Sequence, residues 1–203
     1  MASVLKAFLL AVFLLAAASA ARAGDDRMGD RFLGKADAPI KVEEFVSLTC
    51  THCAGFYTET LPELEKKYVD TGKVRFIMRE FALNGIDLKA FAVARCMPAD
   101  EYFPFVKTLY AAQANWAFGG GDPEKNLIQY AKLGGLPEEK AKACIADTKL
   151  QDEIIAERTA GGDKYKVEAT PTFVINDGAE TIAGAQPLAV FEATFDRLLA
   201  AKK

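Results

Sequence analysis

The stretch Glu44-Phe45-Val46-Ser47-Leu48-Thr49-Cys50-Thr51-His52-Cys53 decides how this chain of 203 residues is read. It begins in a strand-like run and ends in two thiols three positions apart, with helix-like sequence beyond. Side chains alternate along a strand, so within Ile40 to Leu48 the residues Ile40, Val42, Glu44 and Val46 share one face. Glu43 falls on the other face with Lys41 and Phe45. Glu44 is therefore an acid set in an apolar row. His52, the single histidine of the chain, lies between the thiols.

Downstream, Ala54 to Asp70 reads as a helix with Phe56, Leu64 and Tyr68 apolar and Gly72 as its stop. Pro62 lacks an N–H and predicts an interruption, with Thr60-x-x-Glu63 capping a restarted segment. Lys73 to Met78 is a second strand, and the spacing suits a right-handed parallel crossover. From Asn84 to about Lys166 only helices are expected: Leu88 to Cys96, Glu101 to Ala117, Pro123 to Leu133, Glu138 to Ala146 and Leu150 to Lys164. Pro98, Gly119 to Gly121, Gly134-Gly135 and Pro137 punctuate them. Strand character returns at Thr172 to Ile175, a turn at Asn176 to Gly178 leads to Thr181 to Ala183, and Leu188 to Leu199 closes as an amphipathic helix. Arg31 to Leu33 has the look of a short edge strand.

The N-terminus carries Lys6, an apolar run from Ala7 to Ala18, and Ala21-Arg22-Ala23. This is the pattern of a secretory leader cleaved after Ala23, and the run is shorter than the roughly 20 residues a membrane anchor needs. Cleavage removes Lys6 and Arg22 and no acid, so the net charge of −3 becomes −5. An acidic chain without a basic stripe argues against nucleic acid as partner. Export also changes the reading of the four cysteines, because thiols pair in an oxidising compartment. Three pairings are open; sequence proximity favours Cys50 with Cys53, leaving Cys96 for Cys144.

A Cys-x-x-Cys alone admits redox, zinc and purely structural readings. Zinc usually takes four Cys or His ligands; here His52 stands alone, and Cys96 and Cys144 fall in the helical block, so no metal site is expected. With the leader and with Ala169-Thr170-Pro171-Thr172-Phe173 before the returning strand, the pattern resembles the DsbA-like thiol:disulfide oxidoreductases of the thioredoxin superfamily. The resemblance runs from about Ile40 to Leu199. It implies an α/β thioredoxin fold, β-α-β then β-β-α, formed by residues 24–84 and 167–203 with a helical insertion at 85–166. It further implies a soluble periplasmic enzyme, expected to be monomeric. Its substrates would be reduced exported proteins, its reoxidant a DsbB-like quinone-linked membrane protein, and its only redox group the Cys50–Cys53 disulfide. Cys96 and Cys144 resemble the second disulfide of a subset of this family.

The same resemblance assigns roles. Cys50 and Cys53 are the catalytic dithiol, Thr51 and His52 tune it, and Glu44 matches a buried acid beneath it. Thr170 and Pro171 match a substrate-binding loop before a cis-proline. One departure bears on direction: many oxidases of this family carry valine before that proline, whereas threonine is common in isomerases and reductases. Those isomerases usually have an N-terminal dimerisation region, for which residues 24–38 are too few. The residues alone also leave open a thioredoxin-like binding module whose dithiol is structural.

Overall fold

The computed structural model describes residues 26–201, so the expected leader at 1–23 lies outside the described residues. Five strands form one sheet in the order β1-β3-β2-β4-β5. They are β1 (Phe32–Leu33), β2 (Ile40–Val46), β3 (Val74–Glu80), β4 (Thr172–Ile175) and β5 (Glu180–Ala183). β2 and β3 are parallel, and every other pairing is antiparallel. The helix α1 (51–69) joins the parallel pair. Between β3 and β4 come α2 (Gly85–Arg95), α3 (Tyr102–Ala111), α4 (Gln113–Trp116), α5 (Pro123–Leu133), α6 (Glu138–Ala146) and α7 (Thr148–Tyr165). The final helix, α8 (Leu188–Ala200), follows β5. This is the thioredoxin fold with an inserted helical block.

The alternation read in β2 divides the core. Ile40, Val42 and Val46 join Phe76, Phe173 and Ile175 under α1 and α8, where Phe56, Phe191 and Phe195 pack in a chain of ring contacts. Phe45, Phe81 and Val174 make a smaller core on the opposite face, against α7. Here Gly161 is required by contact: a Cβ on it would meet the Phe45 ring at 2.6 Å.

Three helical expectations change. α1 does not break and restart at Pro62; it stays helical through π-type turns at Phe56–Thr60 and Glu65–Val69. The wide turn ends just before the proline, whose missing N–H would leave a carbonyl unpaired in a regular helix. Thr60 accordingly sits at helical angles and its side chain makes no cap. α2 starts three residues earlier than expected, because the Asn84 side chain accepts from the Asp87 amide at 3.0 Å. The segment expected as one helix over Glu101 to Ala117 is split at Ala112, and the Trp116 indole donates to the Leu109 carbonyl at 2.8 Å. Among the described residues no helix is long and apolar enough to cross a membrane.

Candidate active site

Cys50 is the residue where β2's exit becomes the first turn of α1. Its backbone is extended, its carbonyl accepts the Ala54 amide at 3.1 Å, and Thr51 is the first helical residue. The sulfur of a residue so placed faces amides that have no partner inside the helix, where the dipole also favours negative charge. Cys50 and Cys53 are two free thiols, the first half-buried and the second buried. The structure thus holds the reduced form of the pair that sequence proximity suggested would be bonded.

The two thiols are made unequal. The Cys50 thiol is lowered to about 5, first by a hydrogen bond from the Cys53 thiol; burial opposes this, and the Thr170 side chain and the amides of Cys53 and His52 add to it. When protonated, Cys50 Sγ can instead donate to the Thr170 carbonyl at 3.3 Å, which favours the thiol. Four donors against one acceptor leave the balance with the thiolate. Cys53 is pushed far up, first by burial and then by serving as donor to Cys50.

Thr170 and Pro171 reach this pair from across the sheet. Their peptide bond is cis, and the Pro171 carbonyl is fixed by the Gly184 amide at 2.8 Å. Glu44 of β2 is fully buried under α1; burial raises its carboxyl to about 8 although the hydrogen bond from the Tyr57 hydroxyl works the other way. Its second oxygen has no side-chain or backbone partner, so no hydrogen bond there offsets the burial of a charge. Tyr110 packs on Tyr57 with ring centres 4.3 Å apart, and burial first, then Cys53 and Glu44, oppose the ionisation of its hydroxyl. Glu43, on the other face, is engaged by Lys41, Arg79 and Tyr165.

The predicted site residues are distributed unevenly. Cys50, Cys53 and Thr170 converge, whereas Glu44 meets α1 through Tyr57. Thr51 and His52 are exposed, and His52 reaches Cys50 through its backbone amide. Cys96 and Cys144 form a disulfide across 48 residues, Cα atoms 6.4 Å apart, joining the end of α2 to α6. Among the described residues no group of three or more His, Cys, Asp and Glu side chains is placed to hold a metal ion. Sequence reasoning missed Tyr57, Asp87, Tyr110 and Gln113, all buried around the approach to Cys50. Only Asp87 left a signal, three residues after the capping Asn84.

A family model described as Thioredoxin matches residues 26–196. A Rickettsia felis protein provisionally named a protein-disulfide oxidoreductase is 34% identical over 150 residues, 73% of this chain and 53% of its own length. The chain thus spans about half the length of such rickettsial relatives. The disulfide bond formation protein D of Bacillus subtilis is 27% identical over 157 residues, 71% of this chain and 67% of that one. Among solved structures, α-DsbA1 of Wolbachia pipientis is 31% identical, with a TM-score of 0.78 over 86% of this chain and 92% of its own. On the family match and on this identity across nearly all of α-DsbA1, the chain belongs to the thioredoxin family, among its DsbA-like members.

Proposed function

We propose that this protein is a thiol:disulfide oxidoreductase that introduces disulfides into reduced exported proteins through Cys50 and Cys53. The observation that carries this reading is the inequality of the two thiols, Cys50 lowered to about 5 and Cys53 pushed up. Stabilising the Cys50 thiolate stabilises the reduced enzyme, so its disulfide takes electrons readily; DsbA itself is the established example of this relation. In the first exchange a substrate thiolate attacks Cys50 Sγ, the Cys50–Cys53 bond breaks, and Cys53 leaves and takes up a proton. Glu44, protonated near neutral pH, is the proton source this assigns to Cys53. A second substrate thiolate then attacks its own bridged sulfur and expels Cys50 as a thiolate. The substrate has lost two electrons and the enzyme has gained them.

In this scheme Thr170 and Pro171 hold the substrate, the Thr170 backbone pairing with an extended chain. The leader-like pattern at residues 1–23 supports a periplasmic place of work. A DsbB-like quinone-linked membrane protein restores the disulfide, no other cofactor takes part, and the protein acts as a monomer. Thr170 favours a second reading, isomerase or reductase, because threonine before that proline is common in the isomerases and reductases the chain resembles.

Two measurements separate these. The oxidised protein should oxidise a reduced two-cysteine peptide, and Cys50→Ala should abolish this; activity that survives the substitution would sink the mechanism. The reduction potential of the Cys50/Cys53 pair should be well above that of thioredoxin, about −270 mV. A value near thioredoxin's, together with efficient refolding of scrambled ribonuclease, would select the second reading.

A further inference from the structure

Ser47, Leu48, Thr49 and Cys50 connect the last residue of β2 to the first of α1, outside both strand ladder and helix. A connection of this kind is ordinarily the looser part of a fold. Here the helical insertion grips it. Asp87 of α2 accepts from Ser47 Oγ at 2.6 Å and from the Leu48 amide at 2.8 Å, and also from the Leu83 amide at 2.8 Å. The Tyr110 hydroxyl of α3 donates to the Ser47 carbonyl at 3.2 Å. Gln113 of α4 donates from Nε2 to the Leu48 carbonyl at 2.8 Å and the Cys50 carbonyl at 3.0 Å. Asp87, Tyr110 and Gln113 are 0%, 2% and 5% exposed. Buried polar groups so completely engaged are costly wherever a partner is lost.

We infer that Gln113, Asp87 and Tyr110 are positioning residues for Cys50, and that the insertion thereby fixes the nucleophile's sulfur over the first turn of α1 and opposite Thr170. This deepens the reading of Cys50 as nucleophile and rests on it. The donors that hold the thiolate come from two directions: the α1 turn, through the Cys53 thiol and the amides of His52 and Cys53, and the Thr170 loop. Hydrogen bonds weaken steeply with misalignment, so the sulfur keeps all of them only while the backbone before it is held. Gln113 acts nearest, sharing the Cys50 carbonyl with the Ala54 amide. It is also neutral, so replacing it does not change the charge around the thiolate, as replacing Asp87 would.

The test is the pH dependence of Cys50 alkylation by iodoacetamide in the full-length reduced protein, which requires no oxidase assay. Gln113→Leu should raise the midpoint by about one unit, a roughly tenfold weaker acid. Tyr110→Phe, which removes one hydroxyl and keeps the ring, should raise it by less and serves if Gln113→Leu does not fold. Tyr102→Phe is the control: it cuts the bonds from the insertion to Met78 and Glu80 of β3, away from Cys50, and should lower thermal stability while leaving the midpoint in place. A folded Gln113→Leu, or in its absence a Tyr110→Phe, that titrates like the parent overturns the inference, as does an equal shift in Tyr102→Phe. A parent protein titrating near 9 would instead overturn the assignment of Cys50 as an activated nucleophile.

Discussion

At the scale of single residues, the site is governed by two acids displaced in opposite directions. Cys50 is lowered to about 5 from 9.0, so between those values the folded reduced protein has released a proton that the unfolded chain retains. Its contribution to stability is complete above about pH 9 and is lost as pH falls through 5. Glu44 is raised to about 8 from 4.5, so its contribution is complete below 4.5 and is lost as pH rises through 8. In the disulfide form Cys50 no longer titrates and only the second slope remains. Denaturant titrations from pH 5 to 9 should therefore show the reduced form gaining stability on the oxidised one as pH rises. Glu44→Gln should flatten the alkaline decline in both forms. A constant difference between the two forms would mean that Cys50 is an ordinary thiol. The sequence carried Cys50, Cys53 and Glu44 plainly, because spacing and strand alternation are local. It could not carry Gln113, which reaches Cys50 only because α4 breaks away from α3 at Ala112.

Elements were legible where their ends are written in short-range chemistry. Pro123 after Asp122 starts α5, with the Asp122 carboxylate accepting the Glu124 amide at 3.0 Å. Pro137 likewise precedes α6, and both helices have the bounds the sequence predicts. The π-type turns of α1 were not legible, because Pro62 announces a missing donor but not whether the chain stops or widens to absorb it. Gly161 poses the same difficulty, since a mid-helix glycine reads as a weakness of α7 when it is in fact the seat of the Phe45 ring. That gives a prediction at this scale. Alanine is favoured over glycine in a helix by up to about 1 kcal/mol. Here the added Cβ would meet a ring 1% exposed and hemmed by Phe81 and Tyr165. Overpacking of this kind costs typically about 1–3 kcal/mol, so Gly161→Ala should destabilise on balance. A gain in stability in chemical denaturation would show that Phe45 can turn aside freely.

At the scale of the whole molecule, the question is what joins the insertion to the sheet. One join is the clamp on Ser47 to Cys50. Another is Arg95 at the end of α2, buried against Glu80 of β3, with the Tyr102 hydroxyl on the same carboxylate oxygen. Arg95 also donates to the carbonyls of Arg27 and Gly29, which ties the described N-terminal segment to the same point. The adjacent Cys96–Cys144 disulfide acts differently, because both of its ends lie inside the insertion. It joins no insertion residue to the sheet; it limits how far the insertion can unravel. Closing a loop of 48 residues stabilises by about 4 kcal/mol in the chain-entropy model, through the unfolded state. That is a large share of the 5–15 kcal/mol typical of a domain. The paired substitution Cys96→Ala and Cys144→Ala should therefore cost about that much when both proteins are unfolded with Cys50 and Cys53 oxidised. The clamp and the Arg95 join contain neither cysteine, so the variant should still unfold in one transition. A loss under about 1 kcal/mol would mean that the unfolded insertion is already compact without the bond. Two separate transitions would mean that the disulfide, rather than the two joins, is what makes sheet and insertion unfold together.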